Sequence, residues 1–125
     1  MINKIHKIAL VSDDIEGAVH FYTQTLGLVE IERFANDDDE DYVFLQAGDF
    51  LLELMPQKTM DAPVGFHHIS FKVDSVDDSA QALKDKGAEV KVEPFDADGT
   101  DIRLSFFGGP NDVLLQLFRR ESDHA

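Results

Sequence analysis

Moved along by 61 residues, Ile5-His6-Lys7-Ile8-Ala9-Leu10 lies over Phe66-His67-His68-Ile69-Ser70-Phe71, Ile15 over Val76 and Ala18 over Ser79. A shift of 60 places Gly27 on Gly87. A shift of 63 places Asp49-Phe50-Leu51-Leu52-Glu53-Leu54-Met55 over Asp112-Val113-Leu114-Leu115-Gln116-Leu117-Phe118. These matches share polarity and strand phase as well as identity. Two unrelated apolar strands would not keep all three. The chain is therefore constrained to fold as two like modules.

Each module reads β-α-β-β-β. In the first, residues 4–11 alternate as a strand with Ile8 and Leu10 on one face. Ser12, Asp13 or Asp14 caps a helix whose stripe is Ile15, Ala18, Val19, Tyr22 and Leu26, and Gly27 stands where a C-terminal cap belongs. Strands follow at 28–34, 42–46 and 50–55, with a turn at 47–49, and Pro56 ends the last of them. Residues 57–65, with Pro63 and Gly65, read as a linker. In the second module a strand at 66–73 leads to a helix capped by Ser75, striped by Val76, Ala80 and Leu83 and closed by Gly87. Strands are expected at 88–92, 102–107 and 113–118, with a loop at 94–99 and a turn at 108–112. Residues 119–125 are polar and are expected to fray. The modules are thus about 4–56 and 66–118 of a single domain spanning 1–125.

Four polar residues interrupt apolar strands at equivalent places: Lys7 and Glu53 in the first module, His68 and Gln116 in the second. Within residues 66–74, Ile69, Phe71 and Val73 line one strand face and His68, Ser70 and Lys72 the other. Taken alone, His68 suits a surface histidine on a half-buried sheet as well as a metal ligand or an acid–base group. The repeat changes its meaning. If the modules pack about a pseudo-two-fold axis, all four residues converge on one cavity. Glu53 is the sharpest of them, because a carboxylate between Leu52 and Leu54 is out of place on a buried strand unless its face meets a metal, a cation or water.

The chain has 125 residues, 43% of them hydrophobic, enough for one compact core rich in its ten Phe. There is no Cys, so neither a disulfide nor a thiolate contributes. No apolar run reaches membrane-spanning length and no signal-peptide pattern opens the chain, which points to the cytoplasm. A net charge of −14 argues against nucleic acid and anionic membranes as partners. Much of that charge sits in Asp37-Asp38-Asp39-Glu40-Asp41, which reads as a solvated loop and lacks the spacing of a calcium loop.

The doubled pattern resembles the vicinal oxygen chelate superfamily, which includes glyoxalase I, methylmalonyl-CoA epimerase, extradiol dioxygenases and bleomycin-resistance proteins. The likeness runs from Ile8-Ala9-Leu10 through Asp14-Ile15, Phe21-Tyr22 and Leu26-Gly27 to Leu52-Glu53-Leu54, His67-His68-Ile69, Val73-Asp74 and Leu115-Gln116-Leu117. It implies an α+β fold in which two tandem β-α-β-β-β modules form a curved mixed sheet around a central cavity. In metal-using members one ligand comes from each of the four equivalent places. Glu53 and His68 match that pattern. Gln116 stands where the family usually has Glu and brings a carbonyl oxygen without charge. At the first place the register puts Lys7, with His6 one residue early. A β-bulge would return His6 to the cavity. Otherwise strand alternation sends His6 toward the helix side, and the Lys7 ammonium fills the metal's space and pairs with Glu53.

Two functions follow from the resemblance. The first is a glyoxalase-like lyase or isomerase of the glyoxalase or epimerase type. Its divalent Zn, Ni, Co, Mn or Fe ion would be held by His6, Glu53, His68 and Gln116 and would stabilise an enediolate of a small oxygenated substrate, with Glu53 and His68 as catalytic residues. Lys72, Lys91, Arg103 or Arg119 could offset the net charge toward an anionic substrate. The second is a metal-free, resistance-type binder of small molecules, its pocket lined by Lys7, Phe44, Glu53, His68 and Phe106 or Phe107, with no metal because Lys7 fills the site. Either way the expected partners are a small molecule and a second copy in a homodimer.

Overall fold

The computed structural model describes residues 2–36 and 38–122. The chain divides into two compact units. The N-terminal unit is Lys7–His67 and the C-terminal unit is His68–Ala125 together with Met1–His6. Strand β1, Ile2–Ser12, passes from one unit to the other between His6 and Lys7.

In the N-terminal unit β1 leads into helix α1, Ile15–His20, which continues as a π-helical turn over Phe21–Thr25. Of the three capping candidates, Asp14 is the cap. Its Oδ1 accepts the Gly17 N–H at 3.0 Å, while Ser12 Oγ accepts the Asp14 N–H at 3.1 Å. Gly17 makes this cap possible, since a Cβ there would lie 2.2 Å from Asp14 Oδ2. The π turn explains why the repeat slips from 61 to 60 along the helix: Leu26 N–H donates to Phe21 O at 3.3 Å, a ring one residue longer than an α-helical one. The extra residue also rotates Leu26 off the stripe, leaving it exposed, whereas Ile15, Ala18, Val19 and Tyr22 pack on Val43, Leu45 and Leu54. Gly27, at φ 80°, ends the helix as expected.

Strands β2 (Val29–Ala35), β3 (Asp41–Ala47) and β4 (Phe50–Pro56) follow, in the order β2-β3-β4-β1. β1 runs parallel to β4, and the other pairs are antiparallel. The face away from α1 has its own cluster of Ala9, Val11 and Met55, with Tyr42, Met60 and Ala62 packed on it. The acidic segment is a turn scaffolded by Asn36, whose Oδ1 accepts the N–H of Asp38 and of Glu40. Asp37 lies outside the described residues. The expected linker is partly ordered as a one-turn helix, α2, Gln57–Met60, ended by Asp61 in the left-handed region.

The C-terminal unit repeats the plan with β5 (Gly65–Val73), α3 (Val76–Asp85), β6 (Val90–Asp96), β7 (Ile102–Gly108) and β8 (Leu114–Arg120), in the order β5-β8-β7-β6. Ser75 caps α3 through the Asp78 N–H at 3.1 Å. Val73, Val76, Ala80, Phe107 and Leu117 form its core, with Phe71, Leu83 and Leu115 against it. Two boundaries differ from expectation. β6 runs through Pro94 to Asp96 instead of looping at 94. It is an edge strand with register breaks between Val90 and Val92 and between Val92 and Phe95, so the missing proline N–H costs no ladder bond. Arg119 and Arg120 do not fray but pair with Arg103 and Ile102 in β8. Residues 123–125 of the expected fraying tail lie outside the described residues. Among the described residues no helix is long and apolar enough to cross a membrane.

Candidate functional site

Strand parity builds the site face of the C-terminal unit. Leu115, Leu117 and Phe107 face α3, so Gln116, Phe118 and Phe106 face the other way. Parallel pairing sets Ser70 opposite Gln116 and Lys72 opposite Phe118, while Phe106 stands opposite Gln116 on its other side. His68 opens this row and is only 2% exposed, which excludes the surface reading. Its ring meets Phe106 edge to face at 5.3 Å. His6 is also buried and stacks on Phe118 at 4.7 Å with an interplanar angle of 20°. His6 therefore lies on the face of Gln116 and away from α3. The expectation that alternation would send it to the helix side treated β1 as belonging to one sheet face throughout, whereas residues 2–6 pack with the C-terminal unit.

Gln116 Oε1 is buried and accepts no hydrogen bond from the described residues. A buried carbonyl oxygen without a donor costs about 1–3 kcal/mol, so this position is built for a cation or a ligand that donates to it. His6, His68 and Gln116 have the donor atoms a divalent ion accepts, and in this unit the residues fit one. Among the described residues no three His, Cys, Asp or Glu side chains form a ready-made metal cluster, so any ion here depends on the Gln amide oxygen and on a ligand from elsewhere.

In the N-terminal unit the same parity puts Lys7, Ala9 and Val11 of β1 on one face with Glu53 and Met55 of β4. Glu53 stands opposite Phe44, and Phe44 opposite Glu32. Lys7 is 2% exposed and Glu53 8% exposed. The Lys7 Nζ lies 5.9 Å from the centre of the Phe44 ring. Burial pushes the Glu53 carboxyl above its ordinary value, and the positive charge of Lys7 opposes that rise. Tyr42 is held above its usual range by burial, then by the charges of Glu53 and Glu40, and its hydroxyl reaches Met60 Sδ at 3.5 Å. Phe34 stacks on Tyr42 at 5.4 Å and meets Phe44 edge on at 5.6 Å.

The candidate residues thus fall into two sets. His6, His68, Gln116 and Phe106 belong to one unit, and Lys7, Phe44 and Glu53 to the other. Phe107 is a core residue against α3 and no pocket residue. The choice posed by the sequence, His6 or Lys7, does not arise as an exclusion, since both are buried, each in its own unit.

The sequence profile of the Glyoxalase/Bleomycin resistance protein/Dioxygenase superfamily matches residues 4–117. The chain belongs to this superfamily. Among its relatives is a Bacillus subtilis protein, the uncharacterized YwkD, 29% identical over 96% of this chain and 99% of its own. A probable chloroplastic lactoylglutathione lyase of Arabidopsis thaliana is 26% identical over 96% of this chain, which spans 35% of that longer protein. The methylmalonyl-CoA epimerase of Streptomyces coelicolor, solved with 2-nitronate-propionyl-CoA, has the same fold, with a TM-score of 0.81 at 22% identity over 100% of this chain and 99% of that one. The α+β fold of mixed sheet and paired modules expected from the sequence is that of the superfamily.

Sequence reasoning passed over Phe118, Glu32 and Tyr42. Phe118 could have been found, because it is two residues from Gln116 and so shares its face. Glu32 could not, because the register of β2 on β3 breaks between Glu30 and Glu32.

Proposed function

We propose that the protein is a glyoxalase- or epimerase-type lyase or isomerase that moves a proton at the carbon next to a carbonyl of a small oxygenated substrate. The observation that carries this reading is the buried, unused acceptor Gln116 Oε1 in the face that also holds His68 and His6. Superfamily membership supports it, and the named lyase and epimerase relatives give its concrete form. His6, His68 and Gln116 would hold a divalent ion. Such an ion supplies Lewis-acid polarisation of two neighbouring substrate oxygens. Glu53 is the base: a carboxyl raised by burial binds a proton more readily near neutral pH than an ordinary one. Metal analysis of untagged protein, before and after chelation and readdition of nickel or zinc, tests the reading. Stoichiometric metal that is lost in His68→Ala supports it. Protein that neither retains nor takes up metal, with an unchanged melting temperature, refutes it.

A specific observation favours a second reading, a metal-free binder of small molecules. Lys7 is buried above Phe44 with its charge acting on Glu53, and an ammonium repels a divalent cation and has no lone pair to offer it. On this reading Lys7→His creates metal affinity where the parent has none. In either case a homodimer is expected, to be read by sedimentation.

A further inference from the structure

Tyr42 carries a hydroxyl that neither reading has used. It lies in the N-terminal unit with Glu53. Phe44 stands opposite Glu53 and Val43 opposite Leu54, so Tyr42 shares the face of Phe44 and is a diagonal neighbour of Glu53 across β3 and β4. An aromatic side chain reaches across such a diagonal. The ring is held in place by Phe34, its partner on β2, which stacks on it at 5.4 Å with the planes 2° apart. The scaffold does not ask for a hydroxyl here. In the C-terminal unit Phe106 stands opposite Gln116 as Phe44 stands opposite Glu53. Two residues before Phe106 comes Leu104, whose side chain has no polar atom. Tyr42 is half-buried, and among the described residues its hydroxyl meets only the thioether Met60 Sδ, at 3.5 Å. A thioether is a weak acceptor. An anionic oxygen is a far better one, because a charge-assisted hydrogen bond is shorter and roughly twice as strong as a neutral one. The phenol also keeps its proton, since burial first, and then the charges of Glu53 and Glu40, hold it above its usual range.

We propose that Tyr42 is a catalytic residue that works with Glu53, donating a hydrogen bond to the substrate oxygen that gains charge as Glu53 removes the proton from the neighbouring carbon. In that step the C–H bond breaks and its proton goes to the Glu53 carboxylate. The C–H electron pair becomes the second bond of a C=C, and the carbonyl π pair moves onto oxygen, where the Tyr42 hydroxyl meets it. Returning the proton to carbon reverses each change, and Tyr42 stays un-ionised throughout. This deepens the proposed function and rests on it for Glu53 as the base. A purely structural hydroxyl would hold Met60 in place without distinguishing a charged ligand from its neutral counterpart.

Ethyl nitronate and nitroethane make that distinction. The nitronate is planar, carries its negative charge on oxygen as an enolate does, and differs from nitroethane by one proton. The chain has two Tyr and no Trp, so Tyr22→Phe leaves Tyr42 as the only tyrosine chromophore. In that background the nitronate should shift the Tyr42 absorption to the red and nitroethane should not. Affinities for wild type and Tyr42→Phe are read from NMR line broadening of each compound. Wild type is expected to bind the nitronate about tenfold or more tighter than Tyr42→Phe, the effect of one charge-assisted hydrogen bond. The two proteins should bind nitroethane alike. Lys7 on the same face favours the same charge, but Tyr42→Phe leaves it in place, so the difference belongs to the hydroxyl. Nitronate that fails to bind, binds both proteins alike or leaves the Tyr42 absorption unmoved overturns the proposal. The absorption readout needs no substitution at Tyr42 and decides even where Tyr42→Phe does not fold. Titrations of untreated and chelated protein, with metal content measured on both, separate the two ideas. Metal absent from both counts against the metal enzyme while the nitronate comparison still decides Tyr42, and nitronate bound alike by wild type and Tyr42→Phe removes Tyr42 while the metal result stands.

Discussion

Lys7→Met tests the electrostatics of the N-terminal unit with a magnitude that can be worked out beforehand. Burial raises the Glu53 carboxyl and Lys7 opposes the rise, so removing the ammonium leaves burial alone and moves the carboxyl further up. The cost is capped, because once ionisation becomes too expensive Glu53 takes up a proton instead. Protonating a carboxyl of ordinary value 4.5 at pH 7 costs about 3.4 kcal/mol, at about 1.36 kcal/mol for each pH unit. That agrees with the roughly 3–5 kcal/mol seen when one member of a buried ion pair is removed. At pH 5 the same bound falls to about 0.7 kcal/mol. The sign follows from linkage. A carboxyl raised in the folded state contributes stability below its unfolded value, and that stability is lost as the pH climbs through the folded one. Urea denaturation of wild type, Lys7→Met, Glu53→Gln and the double variant at pH 5 and pH 7 measures this as a thermodynamic cycle. Lys7→Met should be destabilised at pH 7 by up to the first bound, and Glu53→Gln in the Lys7→Met background should restore most of the loss. At pH 5 the restoration should shrink several-fold. If Glu53→Gln restores nothing in the Lys7→Met background, or restores as much at pH 5 as at pH 7, Lys7 does not compensate a buried carboxylate and the reasoning is wrong.

Asp14→Ala and Ser75→Ala each remove a helix cap and should cost about 1 kcal/mol in urea melts. Leu117→Ala opens the α3 core and should cost about 2–5 kcal/mol, whereas Leu26→Ala, at an exposed position beyond the π turn, should change stability by less than about 0.5 kcal/mol. Gln116→Glu replaces the unused neutral acceptor with an anion, so zinc affinity measured by competition with a chromogenic chelator should rise. An unchanged affinity would place the ion away from Gln116.

The legible parts of the fold were those written in periodicity. The Ser75 cap, a first cap narrowed to Ser12, Asp13 or Asp14, the glycines at 27 and 87 and the two faces of β5 follow from local residue types. Pro94 misled because a proline is read as a break, and only the position of β6 at an edge makes it harmless. Arg119 and Arg120 misled because their charges look like a solvated tail, yet the strand length of β7 holds them in register. The π turn was visible only as a slip of one residue in the repeat, a number with no structural meaning until the ring closing on Phe21 gave it one. At the site, the residue types at the four equivalent places were legible. The pairing of His6 with Phe118 was not, since it brings together residues over a hundred positions apart in a strand that serves both units.

The repeat also shows what changes when the same scaffold is used twice. In the N-terminal unit Arg33 on β2 joins Glu16 of the helix to Asp41 on β3, with Glu30 beside it. In the C-terminal unit the cation has moved to β7, where Arg103 joins Asp77 of the helix to Asp96 on β6. Both units tie a helix to the outer strand pair, so the position of the link is kept while the strand that carries the positive charge is not. The buried faces diverge in the same way and further. The equivalent places hold Lys7 and Glu53 in one unit, opposite charges that offset each other's burial, and His68 and Gln116 in the other, neutral groups with lone pairs. A charged pair in a buried face is costly to disturb, and a neutral pair with an unused acceptor is costly to leave without a ligand. On this division the first unit is the one whose loss of a partner destabilises the fold. The second is the one whose occupancy should raise the melting temperature, and a ligand or ion that stabilises the wild type but not His68→Ala would show it.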